Sequence, residues 1–218
     1  MKRLFDGIFL VGGRIATKNL VPGKGVYGEK LILEGGIEYR VWDIFRSKLA
    51  AAIKKGLKGM PIRSGSRVLY LGAASGTTAS HISDIVGREG VVFCIEFAQR
   101  PMRELIHVCE ARENMIPILA DANHPERYSE IENVDVIYED VAQANQDEIL
   151  IKNSQAFLKE GGYAMIAIKS QSIDVTQDPH RTYEKVKKSL LSKFTILEEI
   201  ELSPYDKDHL FLLLEAKK

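Results

Sequence analysis

Apolar stretches of strand length alternate with segments of helical periodicity from Arg67 to Ser192. The strand-like stretches lie at 67–72, 91–96, 115–120, 134–140 and 163–170, and the helical segments at 78–86, 100–109, 146–158 and 179–192. Strands joined through helices pair in parallel, because each crossover helix packs on a face of the sheet. The alternation therefore predicts a parallel sheet covered by helices on both faces.

The last two apolar stretches, 194–202 and 208–216, are separated only by SPYDK. Such a short connection joins antiparallel strands, since a parallel pair needs a crossover of about a dozen residues or more. The predicted fold is therefore α/β, with a Rossmann-like, mostly parallel sheet that ends in a C-terminal antiparallel hairpin. This arrangement is typical of class I methyltransferases, which use S-adenosylmethionine.

The N-terminal part of the chain has a different pattern, in which GG, PGKG and GG break short apolar stretches. These features predict short strands and turns. Helical spacing follows over 43–57, with Asp43 as the N-cap and Phe45 on the apolar face with Leu49, Ala52, Ile53 and Leu57. We therefore expect a small β-rich domain over residues 1–55, ending in a helix, and a methyltransferase domain over residues 56–218.

The charges of the chain balance, with 30 basic and 30 acidic residues. Proteins that bind nucleic acid through bulk charge are usually basic, so a nucleic-acid substrate would need a local patch or a partner that delivers it. Asp6 and several glycines interrupt the first apolar run, which excludes a signal peptide, and no stretch is long enough for a membrane span. Cys94 and Cys109 lie in apolar patterns, as core thiols do in a reducing compartment. We expect a cytoplasmic protein with no membrane partner.

The turn after the first strand of the sheet, GAASGT at 72–77, indicates a site for a nucleotide-like ligand. Gly72 and Ala74 let the backbone approach such a ligand, but the dinucleotide fingerprint G-x-G-x-x-G fails at Ala74 and Thr77. Thr77 and Thr78 stand near a helix N-terminus and offer hydroxyl and N–H groups to a carboxylate. These groups suit the amino-acid end of S-adenosylmethionine, and a tight structural turn is the alternative.

Acidic residues end the next two strands. Glu96 follows the turn by about 20 residues, where a carboxylate accepts hydrogen bonds from a ribose diol, and the neighbouring Phe97 can pack on an adenine ring. Asp121 and Ala122 end the third strand, and the Asp121 carboxylate can accept from the adenine amino group. Either carboxylate could instead cap a helix, but together with the turn they favour an adenosine site.

The fourth and fifth strands end in Asp140-Val141-Ala142-Gln143 and in Lys169. Methyltransferases that act on planar amino groups often have Asn/Asp-Pro-Pro-aromatic here, so its absence argues against a base amine as acceptor. Lysine is seldom buried without a partner, and Asp140 and Lys169 end neighbouring strands in the predicted topology. We expect these two side chains to face one another above the methyl-donor site.

Four stretches of the chain resemble the fibrillarin family, and specifically its archaeal fibrillarin-like members. They are YRVWDIFRSKLAAAI (39–53), VLYLGAASGTTASHISDIVG (68–87), YEDVAQ (138–143) and AIKSQSID (167–174). The first is the most specific, because other methyltransferases lack it, and the resemblance extends over essentially the whole chain. Eukaryotic members carry a Gly/Arg-rich N-terminal extension, which this sequence does not show.

The resemblance implies guide-RNA-directed methylation of ribose 2′-hydroxyls in rRNA and tRNA, with S-adenosyl-L-methionine as the methyl donor. It implies that the chain is the catalytic subunit of a box C/D ribonucleoprotein, together with a Nop5-type scaffold protein, an L7Ae-type kink-turn-binding protein and a box C/D guide RNA. The family's cofactor contacts fall on the residues singled out above and extend through Val141 and Ala142 to Gln143.

RNA ribose methyltransferases use a Lys-Asp-Lys set with a fourth polar residue, and the matching positions are Lys48, Asp140, Lys169 and His209. Lys169 would orient the hydroxyl or accept its proton, Asp140 would position Lys169, and Lys48 would be a positioning cation. Lys48 could instead be a solvated helix lysine, and His209 simply the start of a strand.

Two other functions stay open at this point. A nicotinamide-dependent oxidoreductase is disfavoured by the failed fingerprint, and a non-catalytic RNA-binding scaffold is disfavoured by the intact Lys-Asp-Lys set. The five histidines are scattered without paired spacing, so no metal site is expected.

Overall fold

Two β-sheets form the framework of the computed structural model, which describes residues 1–217. The smaller sheet is antiparallel, with the strand order β1-β2-β3-β5-β4. Its strands are β1 (Lys2–Phe5), β2 (Ile8–Val11), β3 (Arg14–Lys18), β4 (Leu31–Glu34) and β5 (Ile37–Val41).

The larger sheet has seven strands in the order β11-β12-β10-β9-β6-β7-β8. These are β6 (Arg67–Leu71), β7 (Val91–Glu96), β8 (Met115–Leu119), β9 (Val134–Glu139), β10 (Leu158–Lys169), β11 (Phe194–Glu201) and β12 (His209–Ala216). The helices are α1 (Lys48–Lys54), α2 (Thr77–Val86), α3 (Gln99–Glu110), α4 (Gln146–Phe157), α5 (Ser170–Ile173) and α6 (Pro179–Leu190), and a 3-10 turn spans Pro125–Tyr128.

The predicted α/β fold is confirmed. Strands β6 to β10 pair in parallel, whereas β12 is antiparallel to both β10 and β11. Apolar clusters cover both faces of the sheet, and Cys94 and Cys109 are free and buried. Because the parallel strands share one direction, their carboxyl ends lie along a single edge. No helix among residues 1–217 is long and apolar enough to cross a membrane.

The first helix is shorter than its sequence pattern predicts. It begins at Lys48, and its N-cap is Ser47, whose side chain accepts a hydrogen bond from Ala50 N. Asp43 caps an earlier turn instead, because its carboxylate accepts from Phe45 N at 2.8 Å. The prediction of Asp43 as N-cap and of Phe45 on the apolar face of the helix is therefore wrong: Phe45 precedes the helix and is 71% exposed.

Helix α1 packs against the larger sheet. Its apolar face, from Leu49 to Ile53, belongs to the same core cluster as Tyr70 of β6, Tyr138 of β9 and Phe211 of β12. The division between residues 55 and 56 stays a prediction, but the helix that precedes it shares its core with the larger sheet.

A buried ionic network joins the small sheet to helix α2. Asp84 of α2 accepts from Arg40 Nη1 at 2.9 Å and from Arg112 Nη1 at 2.7 Å, and it also accepts from the Thr17 hydroxyl and from Leu20 N. Both arginines are buried. A buried carboxylate with two cations and two further donors is satisfied, so the network locks the orientation of the small sheet.

His81 extends this network as a neutral imidazole. The Thr17 hydroxyl gives its single proton to Asp84, so it must accept from His81 Nδ1 at 2.7 Å, and His81 Nε2 then accepts from the Tyr27 hydroxyl at 2.8 Å. Burial, and then the charges of Arg40 and Arg112, hold the pKa of His81 well below its usual range, which agrees with this assignment.

We expect the substitution Asp84→Asn to destabilise the fold by about 3–5 kcal/mol, because it leaves buried Arg112 without a counter-charge and buried Arg40 with Glu29 alone. For a domain of this size the melting temperature should fall by roughly 6–20 °C. The matched control is Glu199→Gln, which removes a surface ion pair with Lys187 and should cost about 1 kcal/mol or less. Equal melting temperatures for the two variants would contradict the role of Asp84.

Candidate active site

The glycine turn between β6 and α2 has a backbone that only particular residues allow. Gly72 and Gly76 have φ values of 80° and 88°, and Ala74 has a φ of 48°. A Cβ atom on Gly72 would lie 3.1 Å from backbone atoms of Asp140 and Val141. The turn therefore packs directly against the end of β9, and a side chain at position 72 would push the two strand ends apart.

Glu96 holds the turn from the neighbouring strand. Its carboxylate is buried and accepts from Ala74 N at 2.9 Å and from Ala98 N at 2.8 Å. Each carboxylate oxygen keeps the capacity for another donor. Phe97, the next residue, is 64% exposed, so its ring is open to a flat ligand.

The remaining strand-end residues lie on the same edge. Asp121 accepts from the backbone and side-chain amides of Asn123, and the backbone bond, against a smaller opposing effect of burial, lowers the pKa of Asp121. Ala122 and Val141 are buried, whereas Ala142 is exposed. Gln143 is partly buried. All of these predicted positions are at the carboxyl edge of the sheet.

Thr77 is the first residue of α2, as predicted for a helix N-terminus that binds a ligand. The side chain of Thr78, in contrast, is hydrogen-bonded within the protein. The Thr78 hydroxyl donates to Ser47 Oγ at 2.9 Å in a buried contact. Its side chain is therefore engaged with α1, and any contribution to a ligand would come from its N–H. Through this bond the N-cap of α1 is tied to the glycine turn.

Asp140 binds both predicted lysines. Its Oδ1 lies 2.8 Å from Lys169 Nζ and 3.1 Å from Lys48 Nζ, and Lys169 also donates to the Asp140 carbonyl oxygen at 2.6 Å. Lys48 is thus an ion-paired residue at the site and not a solvated helix lysine. We call Lys48, Asp140 and Lys169 the Asp140 cluster.

His209 lies next to the cluster because of the strand register. In the antiparallel pair of β10 and β12, His209 is the direct partner of Lys169. Its Nδ1 lies 2.9 Å from Asp206 Oδ1, and Asp206 Oδ2 lies 3.7 Å from Lys48 Nζ. Burial raises the pKa of Asp206, but His209, Lys48 and Lys169 together lower it below its usual range.

Two of the positioning residues were not predicted from sequence. Asp206 lies in the hairpin loop, where nothing in the SPYDK string distinguishes it from a solvated aspartate. Buried Gln146 accepts from Lys169 N at 3.0 Å and donates to the Val141 carbonyl at 2.7 Å, so it connects the ends of β9 and β10. Its position at the start of α4, directly after the fourth strand end, was the available signal.

The geometry combines two functions along one edge. A strained turn, a buried carboxylate and an exposed aromatic ring suit a nucleoside with an amino-acid end. Next to them, two lysines and a carboxylate can orient a hydroxyl and take part in the transfer of its proton. The fibrillarin family model matches residues 1–218.

The chain belongs to the fibrillarin family. The resemblance inferred from its four motif stretches is thus confirmed, and close relatives agree along the whole length. The chain is 54% identical to the fibrillarin-like rRNA/tRNA 2′-O-methyltransferase of Thermococcus gammatolerans, over 95% of each protein. A solved fibrillarin from Aeropyrum pernix, in complex with natively bound S-adenosyl-L-methionine, shares 48% identity and a TM-score of 0.88, over 95% of this chain and 92% of that one.

A chain of the fibrillarin/Nop5p complex is also similar, with 42% identity and a TM-score of 0.92 over 99% of this chain and 100% of that one. The small N-terminal sheet is included in this match, since the covered share is nearly complete. The two-sheet architecture is therefore shared with a fibrillarin-family structure that was solved with a protein partner.

One buried carboxyl in this fibrillarin-family chain has no partner. Glu139 precedes Asp140 on β9, is not exposed, and neither of its oxygens has a hydrogen-bond partner among the described residues. Burial, and then the charge of Asp147, raise the pKa of Glu139 well above its usual range. These effects favour the protonated form of Glu139, although it lies next to the Asp140 cluster in sequence.

We expect Glu139→Gln to gain stability relative to the parent chain as pH rises. The folded-state pKa of Glu139 exceeds the unfolded value of about 4.5, so above that pH the unfolded chain ionises, the folded chain does not, and parent stability falls. The melting temperature of the variant minus that of the parent should increase between pH 5 and pH 8. Exposed Glu148→Gln is the control, and a difference that does not change with pH would contradict a neutral Glu139.

Proposed function

We propose that this chain transfers a methyl group from S-adenosyl-L-methionine to the ribose 2′-hydroxyl of RNA, as the catalytic subunit of a box C/D ribonucleoprotein. The observation that carries the proposal is the Asp140 cluster, in which one carboxylate holds two lysines beside the glycine turn. The relative of this chain from Thermococcus gammatolerans is named a fibrillarin-like rRNA/tRNA 2′-O-methyltransferase. The proposed substrates are therefore rRNA and tRNA.

The residues at the strand ends fit the cofactor. The Glu96 carboxylate would accept from the ribose diol, Phe97 would cover the adenine, and Asp121 would accept from its amino group. Thr77 and the first N–H groups of α2 would receive the carboxylate. When bound, the cofactor supplies a methyl group that is already activated for displacement. The fibrillarin from Aeropyrum pernix, which is similar to this chain, was solved with this cofactor bound.

The chain must then orient a poorly acidic hydroxyl and take up its proton. Lys169 Nζ is held at two points by Asp140, so its position is defined before substrate arrives. Lys48 adds a second cation from helix α1, and His209 supports Lys48 through Asp206. Lys169 is thus proposed to orient the hydroxyl as an ammonium group or to accept its proton as a neutral amine, with Asp140 and Lys48 as its positioning partners.

A Nop5-type scaffold is the first proposed partner, since a similar chain was solved in the fibrillarin/Nop5p complex. We further propose an L7Ae-type kink-turn-binding protein and a box C/D guide RNA. The chain has 30 basic and 30 acidic residues, so bulk charge does not recruit RNA. Partners that bring the substrate account for this balance.

The cofactor site is tested with Glu96→Ala. We expect the affinity for S-adenosylmethionine to fall by about 1–3 kcal/mol, the value of a lost charge-assisted hydrogen bond, as measured by calorimetry. Because Glu96 also holds Ala74 N, the experiment is repeated with the 2′-deoxyribose analogue, for which parent and variant should differ less. Exposed Glu110→Ala is the control, and an unchanged affinity of Glu96→Ala would remove Glu96 from the site.

The chemistry is tested with Lys169→Ala and Lys169→Arg in complexes assembled with the scaffold, kink-turn protein and guide RNA. Lys169→Ala should lose single-turnover methylation while cofactor affinity is kept. Lys169→Arg keeps a cation that does not release its proton. This variant should be inactive if Lys169 accepts the proton, and it should be active if Lys169 only orients the hydroxyl.

The control for this experiment is Lys159→Ala, whose side chain pairs with Asp135 at the surface and should leave the rate unchanged. The parent chain without partners should bind cofactor but methylate RNA poorly. A Lys169→Ala complex with the parent rate would exclude Lys169 from the reaction, and efficient site-selective methylation by the lone chain would contradict the proposed partners.

A further inference from the structure

One exposed aromatic ring has no role in the site described above. Among residues 1–217, Phe45 and Phe97 are the exposed Phe, Tyr or Trp side chains. Phe97 is assigned to the cofactor. Phe45 is 71% exposed although it lies only three residues before Lys48. Its exposure alone implies no ligand, so the groups around the ring decide what it could contact.

Phe45 contacts the loop that carries Asp206, next to the Asp140 cluster. Its N–H donates to Asp43, and its ring makes an edge-to-face contact with Tyr205 at a centroid distance of 5.7 Å. Tyr205 precedes Asp206, the residue that lies within ion-pair distance of Lys48 and His209. Lys55 Nζ donates to the Ser203 carbonyl at 2.8 Å and ties the same loop to α1. The ring therefore packs on the loop whose Asp206 lies beside Lys48.

Basic side chains line the same cleft as Phe45. Phe45 lines a cleft of about 500 Å³ between the small sheet and the segment before α1, together with the exposed side chains of Arg14, Lys30, Arg46 and Lys54. The acidic residues of the cleft are Glu29, which is paired with buried Arg40 at 2.6 Å, and Asp43. The chain as a whole is neutral, so this cleft is a local basic patch suited to phosphates.

An exposed aromatic ring next to a basic cleft matches the minor-groove side of an RNA duplex. In an A-form helix the 2′-hydroxyls project into a wide, shallow minor groove that also exposes sugar faces and base edges, and the phosphates form its rims. A ribose that reaches the Asp140 cluster therefore brings the adjacent sugars against Phe45 and a rim toward the basic cleft. The exposed cations of the cleft complement the negative charge of these phosphate rims, which favours RNA as the occupant.

We propose that Phe45 is a positioning residue, which packs on the sugar face next to the target ribose and sets which 2′-hydroxyl of the guide–substrate duplex reaches the Asp140 cluster. The cations of the cleft supply affinity that is independent of register, since phosphate contacts carry no position along a uniform backbone. The proposal rests on the proposed function and adds to it the group that selects the nucleotide.

The test compares Phe45→Ala, Phe45→Tyr and Lys54→Ala in the assembled complex with guide RNA, by single-turnover methylation and by mapping the methylated nucleotide. Phe45→Ala should slow methylation about ten- to a hundredfold, as small misplacements of reactants do, and should spread it to the neighbouring nucleotides. Phe45→Tyr should restore both rate and position. Exposed Leu33→Ala, on β4, is the matched control and should behave as the parent chain does.

Salt dependence separates the ring from the cleft. Lys54→Ala should lower the slope of log affinity against log salt by about 1 without moving the methylated position, whereas Phe45→Ala should leave that slope unchanged. A Phe45→Ala complex with the parent rate and a single methylated position overturns the proposal. So does a loss of cofactor affinity, which would show a structural role, or a loss of scaffold binding, which would show a protein contact. A parent complex that methylates no ribose would instead overturn the proposed function itself.

Discussion

The buried carboxylate of Asp84 is the interaction on which the arrangement of this protein depends. It draws Arg40 from the small sheet and Arg112 from the end of α3 onto one helix, α2. The first residue of α2 follows the glycine turn, and the next, Thr78, binds the N-cap of α1. The placement of Lys48 beside Asp140 is thus the last step of a chain of contacts that begins at a buried ion pair. Since removing one partner of such a network leaves charges unsatisfied, the two sheets cannot slip without a large cost.

The active site illustrates how a sheet edge collects chemistry from distant parts of the sequence. Asp140 and Lys169 meet because β9 and β10 are neighbours, and His209 joins them because the antiparallel register of β12 sets it opposite Lys169. Gln146 connects two of these strand ends through backbone groups. The site is therefore rigid on its sheet side, while its outer side, with Phe45 and the basic cleft, is open to a large substrate.

Two carboxyl groups that are adjacent in sequence have opposite roles for a simple geometric reason. Side chains alternate between the two faces of a strand, so Asp140 points to the lysines whereas Glu139 is enclosed without a partner. Asp140 is thus the carboxylate that contacts both lysines, whereas burial raises the pKa of Glu139.

Much of the site could be predicted because it depends on where strands end. The order of apolar stretches determined the parallel sheet, and Glu96, Asp121, Asp140 and Lys169 follow directly as polar residues at its carboxyl edge. What escaped prediction depends on contacts between segments that are far apart in sequence. Helical periodicity alone assigned Phe45 to the apolar face of a helix, because the pattern cannot show that Ser47, tied to Thr78, is the N-cap and leaves Phe45 outside the helix. Asp206 gained its role only when the hairpin register brought its loop to Lys48. The sequence by itself determined the sheet, the polar residues at its edge and the family. Only the tertiary structure decided which of those groups touch and which aromatic ring is exposed, because loop positions and cap choices follow from packing energies that no local pattern contains.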